Sequence, residues 1–266
     1  MSTLSINPTD KDLYDLLHDQ KLTKVGIVGV PPLRVISYLD ERRAEILDLD
    51  AMLVIEDMES TVAMLPRVYC AILRTVVLNA MHLDLDAIFI DVGPGKCDGA
   101  LHVATVLEEG LNIPIIRTIN NDHKSFGHPL CQAEMDTTEK FLAITERVKS
   151  PLSMDFPPPP CQPTAGFWGV PPRDFSILSL FPDTTHIYGW TRCMENKTPA
   201  DHLLEAHFNS DIPTVFFAQS FCPKTALARL LARKHPHALY LDIDVNTGSS
   251  AKAKIQAFLE LSGVRL

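Results

Sequence analysis

The chain has 266 residues, 46% of them hydrophobic and 21% charged, with a net charge of −9. That length buries one large core or two domains of about 110–150 residues. The acidic balance argues against a nucleic-acid partner, which requires a basic face, and no apolar run approaches the roughly 20 residues that span a bilayer.

The opening Met1-Ser2-Thr3-Leu4-Ser5-Ile6-Asn7-Pro8 lacks a charged region followed by an apolar one, so a cytoplasmic location is expected. Six cysteines in a reducing compartment point to burial, metal binding or reactivity rather than a disulfide framework. Thr9 is suited to cap a helix over 10–20. Lys24–Gly29 reads as a short buried strand stopped by Pro31-Pro32. Met52–Ile55 reads as a second strand, and Leu65–His82 as a long helix. The apolar run Ala87–Val92 follows as a third strand, ending in Gly93-Pro94-Gly95-Lys96-Cys97-Asp98-Gly99. A helix from Ala100, a strand over 114–117, a polar loop over 120–125 and a helix over 132–149 complete this half. Gly93-Pro94-Gly95 lies in no GxGxxG and no Walker sequence, so no nucleotide site is predicted there.

Six of the chain's 20 prolines fall between Pro151 and Pro163, and Pro157–Pro160 are consecutive. This stiff run predicts a linker over 151–163, with an N-terminal α/β domain over 1–150 and a C-terminal one over 164–266. The chain then restarts. Gly26-Ile27-Val28-Gly29-Val30-Pro31-Pro32 is echoed by Gly166-Phe167-Trp168-Gly169-Val170-Pro171-Pro172, with five of seven positions identical. Strands over 185–188, 215–218 and 238–241 alternate with helices over 200–208, 225–234 and 250–261. Cys222 follows its strand as Cys97 follows its own, and the spacing to the next apolar stretch is 16 residues in both cases, Cys97 to Ile113 and Cys222 to Ala238. The expected fold is two similar flavodoxin/Rossmann-like domains with parallel sheets, related by an internal repeat. Ligands bind beyond the carboxyl ends of such strands, which places both cysteine turns in an interdomain cleft.

Cys97 and Cys222 stand at helix N-termini, where the dipole and free N–H groups favour a thiolate. Cys70 lies near the start of a helix with Arg74 four residues later on the same face. With no CxxC spacing these three do not form a zinc ribbon, but three thiolates from distant loops suit an iron–sulfur cluster. The run from Cys70-Ala-Ile-Leu-Arg74 through the apolar strand to Lys96-Cys97-Asp98-Gly99, with Ser220-Phe221-Cys222-Pro223 and the closing helix over 255–260, resembles the 2-hydroxyacyl-CoA dehydratase and benzoyl-CoA reductase family. Pro223-Lys224 differs from that family's Asp-Pro, and Lys252 and Lys254 stand where it has an arginine. The resemblance implies an iron–sulfur lyase or reductase with a [4Fe-4S] cluster on Cys70, Cys97 and Cys222 and one iron open to substrate. It also implies a small-molecule substrate of the acyl-CoA thioester type, an electron donor or ATP-dependent activator, and a homo- or heterodimer. Arg74 would neutralise cluster or substrate charge, and Cys193, after a strand of the second half, is a candidate spare ligand or acid/base group.

Two other readings stay open. One is a metal-free enzyme like the aspartate/glutamate racemases, with Cys97 and Cys222 exchanging protons on opposite faces of a substrate. It gives Cys70 no role and lacks the Asn-Thr and Thr-His neighbours of those cysteines. The other is a non-catalytic binding module whose cysteines only pack. Of the remaining cysteines, Cys131 near His123 and His128 is read as part of a solvated loop and Cys161 as an exposed linker residue. Trp168 and Trp190 are read as core or as an aromatic wall of the cleft.

Overall fold

A computed structural model describes residues 22–265. The expected helix over 10–20 lies outside the described residues. Two compact units result: one takes the described residues to Lys124 with Val148–Leu152 and Lys197–Ala200, the other takes Ser125–Arg147, Ser153–Asn196 and the rest from Asp201. The proline run lies in the second unit, and 125–147, read from sequence as the end of the N-terminal domain, groups there too.

In the first unit, strands β1 (Lys24–Val28), β2 (Glu45–Asp48), β3 (Ala87–Asp91) and β4 (Ile115–Thr118) form one parallel sheet in the order β2-β1-β3-β4. Helices α1 (Leu33–Glu41), α2 (Ala71–His82) and α3 (Asp98–Gly110) connect successive strands. Val25, Ile27, Ile88, Phe89 and Ile90 are fully buried, as expected of strands covered on both faces.

Two sequence readings are corrected here. The second strand is Glu45–Asp48, whereas Ile55 of the apolar run 52–55 is 85% exposed. The long helix begins only at Ala71; Met58–Ala63 is a separate 3-10 turn, and Cys70 caps α2.

The second unit repeats the topology. Strands β5 (Ala165–Trp168), β6 (Thr185–Tyr188), β7 (Thr214–Gln219) and β8 (Ala238–Ile243) are parallel in the order β6-β5-β7-β8. The same strand order in both units establishes the two-sheet α/β fold that the repeated sequence predicts. Around this sheet lie α4 (Pro129–Gln132), α5 (Thr137–Val148), α6 (Trp190–Asn196), α7 (His202–Ala206), α8 (Lys224–Lys234) and α9 (Ser249–Leu261). The helix read as 132–149 begins only at Thr137, after the separate turn α4, the helix read as 200–208 shortens to His202–Ala206, and α6 is a further helix ahead of it.

Phe167 packs edge-on against Phe141 and Phe181, with ring centroids 5.1 and 5.6 Å apart. Trp168 is core, 1% exposed, and its indole N–H donates to the Glu205 carbonyl at 2.8 Å. Trp190 is buried as well, with the Lys224 ammonium 4.3 Å from its ring centre. Lys140 of α5 is fully buried and donates to the carbonyls of Asp183 and Thr185 at 2.6 and 2.7 Å. Burial pushes its pKa down to about 8. This ties α5 to the edge strand β6, which explains why 125–147 belongs to the second unit.

Candidate functional site

Two thiols of the first unit lie at the N-termini of packed helices. Cys70 is the N-cap of α2 and Cys97 the N-cap of α3; neither side chain makes a capping hydrogen bond. The sequence anticipated the Cys97 placement and gave the Cys70 one only approximately. Tyr69 connects them electrostatically: burial raises its phenol pKa, and the neighbouring Cys97 and Cys70 raise it further.

Gly99 is closely packed between Leu73 and Cys97. A β-carbon there would stand 2.9 Å from Leu73 Cδ1 and 3.3 Å from the Cys97 sulfur. One turn beyond Cys70, Arg74 is 8% exposed and gives one guanidinium N–H to the Met58 carbonyl at 3.3 Å. Its Nε has no hydrogen-bond partner among the described residues. Burying a guanidinium without a carboxylate is costly, so this position favours negative charge nearby.

Beside Cys97 lies a charged group that the sequence reading missed. Asp48 and Asp91 end β2 and β3, Asp50 follows two residues after Asp48, and Lys96 reaches them from the turn before Cys97. The Lys96 ammonium is 3.7 Å from Asp50 Oδ2, which also accepts the Gly29 N–H at 2.7 Å. Gly29 has φ +79°, and a β-carbon there would meet Lys96 Cε at 1.9 Å, so the lysine stem crosses directly over it. Asp91 Oδ1 accepts the N–H groups of Gly93 and Asn120 at 3.2 and 3.0 Å.

Burial, then the Asp50 charge, pushes Asp48 up to about 7, and burial pushes Asp91 up to about 6. Burial opposes the Lys96 charge, but Asp50, Asp91, Cys97 and Asp48 outweigh it and hold its pKa above the ordinary value. The group therefore fixes the Lys96-Cys97 turn on the carboxyl edge of the sheet and keeps a cation within electrostatic reach of Cys97. An acid closing an apolar run, as in Leu47-Asp48 and Ile90-Asp91, is the sequence signal that was available.

In the second unit Cys222 lies between β7 and α8 and is 9% exposed. The residue before it, Phe221, has φ +62° and is 58% exposed. A non-glycine residue held in the left-handed region stores strain of about 1–3 kcal/mol, which is often found at functional turns.

Cys193 has different surroundings. It is fully buried, its thiol reaches the Asp201 carbonyl at 3.7 Å, and burial, then the Glu205 charge, pushes its pKa up to about 12. It is a neutral packing thiol in this setting. Cys131 is likewise buried rather than solvated: Glu195 accepts the backbone N–H groups of Leu130 and Cys131 at 2.7 and 2.9 Å. Burial, then that carboxylate, holds the Cys131 thiol well above its usual range. Cys161 is half-buried rather than exposed, with its sulfur 3.7 Å from His186 Nε2.

Among the described residues, no three or more His, Cys, Asp or Glu side chains are grouped to hold a metal ion. The first unit brings together two of the three expected ligands, Cys70 and Cys97; Cys222 belongs to the second unit.

Fold and site thus define a class: a repeated α/β protein with flavodoxin-like strand order and a thiol pair at one sheet's carboxyl edge. No family model and no curated protein matches the chain. Among solved structures it is similar to MenH from S. aureus, at 12% identity over 92% of this chain and 96% of that one, with a TM-score of 0.20. It is similar also to the glycotransferase of kitacinnamycin, at 10% identity over 92% and 97%, with a TM-score of 0.21. Neither likeness carries an argument at those scores. No helix among the described residues is long and apolar enough to cross a membrane.

Proposed function

We propose that the protein is an iron–sulfur enzyme of the 2-hydroxyacyl-CoA dehydratase/reductase type. The observation that carries the reading is the pairing of Cys70 and Cys97 at two packed helix N-termini, both close enough to Tyr69 to raise its pKa. Thiolate is the donor such clusters take.

Cys70, Cys97 and Cys222 would hold a [4Fe-4S] cluster. Such a cluster supplies a one-electron couple and one iron open to a substrate oxygen. The chain's own residues do the rest. The α2 and α3 N-termini and Lys96 stabilise the two thiolates. Arg74 offers an uncompensated positive charge to the cluster or to the carbonyl side of an acyl-thioester-like substrate. Cys193, as a buried neutral thiol, is left out of the site. An electron donor or activator, and a dimeric state, belong to the same proposal.

Anaerobically purified protein is expected to be brown, with about four irons and four sulfides per chain. Cys97→Ala and Cys222→Ala are each expected to lose them. Colourless, iron-free protein after reconstitution with iron and sulfide would overturn the assignment, and unaltered iron in Cys97→Ala would overturn the ligand set. The metal-free racemase-like chemistry predicts instead full activity without iron.

Gly99→Ala gives a separate check. Alanine in the first turn of α3 regains up to about 1 kcal/mol of helix propensity, against a comparable cost of crowding Leu73. Stability is therefore expected to change by less than about 1 kcal/mol, while iron content falls because the Cys97 sulfur is displaced. Equal iron content in the two proteins would place the cluster elsewhere.

A further inference from the structure

The second unit holds a cavity of about 440 Å³ beside its edge strand β6, and no cysteine of the proposed cluster lines it. The size is within the usual range for small-molecule sites, roughly 300–1,000 Å³. Arg192, His186, His207 and Gln132 supply its polar lining, and Tyr188 and Phe208 its apolar lining.

Arg192 is the feature without a structural explanation. It is 3% exposed, its Nε has no hydrogen-bond partner, and no carboxylate pairs with it among the described residues. Its guanidinium carbon is 4.8 Å from the centre of the Tyr188 ring, which orients the fork but does not neutralise it. Apart from Lys140, whose ammonium donates to the Asp183 and Thr185 carbonyls, the other basic side chains around it are imidazoles. His128 lies against Arg192 and His207, and its Nδ1 also lacks a partner. Burial, then the Arg192 charge, pushes His128 down to about 4, and the same two causes lower His207. Burial leads in lowering His186 as well, with Lys140 and Arg192 adding to it. Near neutral pH the lining therefore carries one positive charge, a buried guanidinium, among neutral donors.

We infer that this cavity is a binding site for a small organic carboxylate, with Arg192 as its anion anchor. A planar guanidinium matches a carboxylate with two parallel hydrogen bonds, and one net charge matches a monoanion better than a phosphate dianion. Tyr188, Phe208 and Pro163 give a carbon body an apolar wall. The site stands independently of the iron–sulfur proposal.

The test is calorimetric titration of the full chain with benzoate, acetate and inorganic phosphate. Benzoate is expected to bind saturably and more tightly than phosphate, and to raise the melting temperature. Arg192→Gln is expected to weaken benzoate at least about ten-fold, the loss of one charge-assisted hydrogen bond. Without ligand, that variant is expected to melt at or above the wild-type temperature, because a buried unpaired charge has been removed. Should Arg192→Gln fail to fold, benzoate-induced amide shifts in the wild type decide: they are expected in β6 and residues 207–210. No saturable binding of either carboxylate, tighter binding of phosphate, unaltered benzoate affinity in Arg192→Gln, or shifts confined to other elements would each overturn the proposal.

Discussion

Lys96→Met is expected to destabilise the first unit by about 3–5 kcal/mol at pH 8, the usual cost of removing one partner from a buried charge pair. Lys96 is the cation on which Asp48, Asp50 and Asp91 depend, and its side chain is only 13% exposed. Methionine keeps most of the stem volume over Gly29, so little of the loss comes from packing. Asp48 and Asp91 would then have to ionise without the larger of the cationic influences on them, Lys149 remaining near Asp48. Their pKa values rise further, and the penalty shrinks as falling pH protonates them. The titration of Lys96 itself lies outside this window: with a pKa raised above its unfolded value, its contribution is fully present below that value and lost only as pH climbs through the raised one, so the difference between pH 5 and pH 8 comes from the acids. The expected result is a large loss at pH 8 and a small one at pH 5, read from hydrogen exchange of the β1 and β3 amides. Equal losses at the two pH values would mean that the stem, not the charge, is what matters. The same variant should leave the second unit's β5 and β7 amides protected, since Asp48, Asp50 and Asp91 all lie in the first unit.

Why the sequence revealed some of this and not the rest follows from where each residue is buried. β1, β3 and β7 are covered on both faces, so they appear as apolar runs bounded by glycine or proline, and Ala87–Ile90 and Thr214–Ala218 are legible at once. β2 is an edge strand whose residues are mostly half-exposed, and Glu45-Ile46-Leu47-Asp48 gives a weaker signal than the solvent-facing Met52-Leu53-Val54-Ile55. The Cys97 and Cys222 turns were legible because a strand, a turn and a helix recur in order, twice. The role of Lys96 was not. It rests on acids from β2 and β3 converging on one lysine, and convergence across strands leaves no spacing in the sequence. Arg192 sat unremarked beside Cys193 for the same reason: on α6 both residues are buried, but only the lining of the cavity distinguishes the charged one from the packing thiol.

Asp48→Asn carries the second large effect, with the opposite sign. Asp48 is 6% exposed at the end of β2, and its Oδ1 accepts the Asp50 N–H at 3.0 Å. Asparagine retains that acceptor and is neutral, as a protonated carboxyl is. In the wild type, burial and the Asp50 charge raise the folded pKa to about 7 from a reference of 3.8. A carboxyl raised in this way is most favourable to folding below its unfolded pKa. Its contribution is lost as pH rises through the folded value, by roughly 1.4 kcal/mol per pH unit between the two. Asp48→Asn removes that loss. The variant should therefore match the wild type near pH 4 and pull ahead steadily to a plateau above pH 7, where the gain approaches roughly 4 kcal/mol. Denaturation midpoints across that range give the curve directly. A pH-independent difference, or a variant less stable than wild type at pH 8, would mean that Asp48 is held as a carboxylate by Lys96 and Lys149 rather than driven towards neutrality by its burial. With Asp48 partly protonated near neutral pH, Asp50 and Asp91 are the main anions facing Lys96.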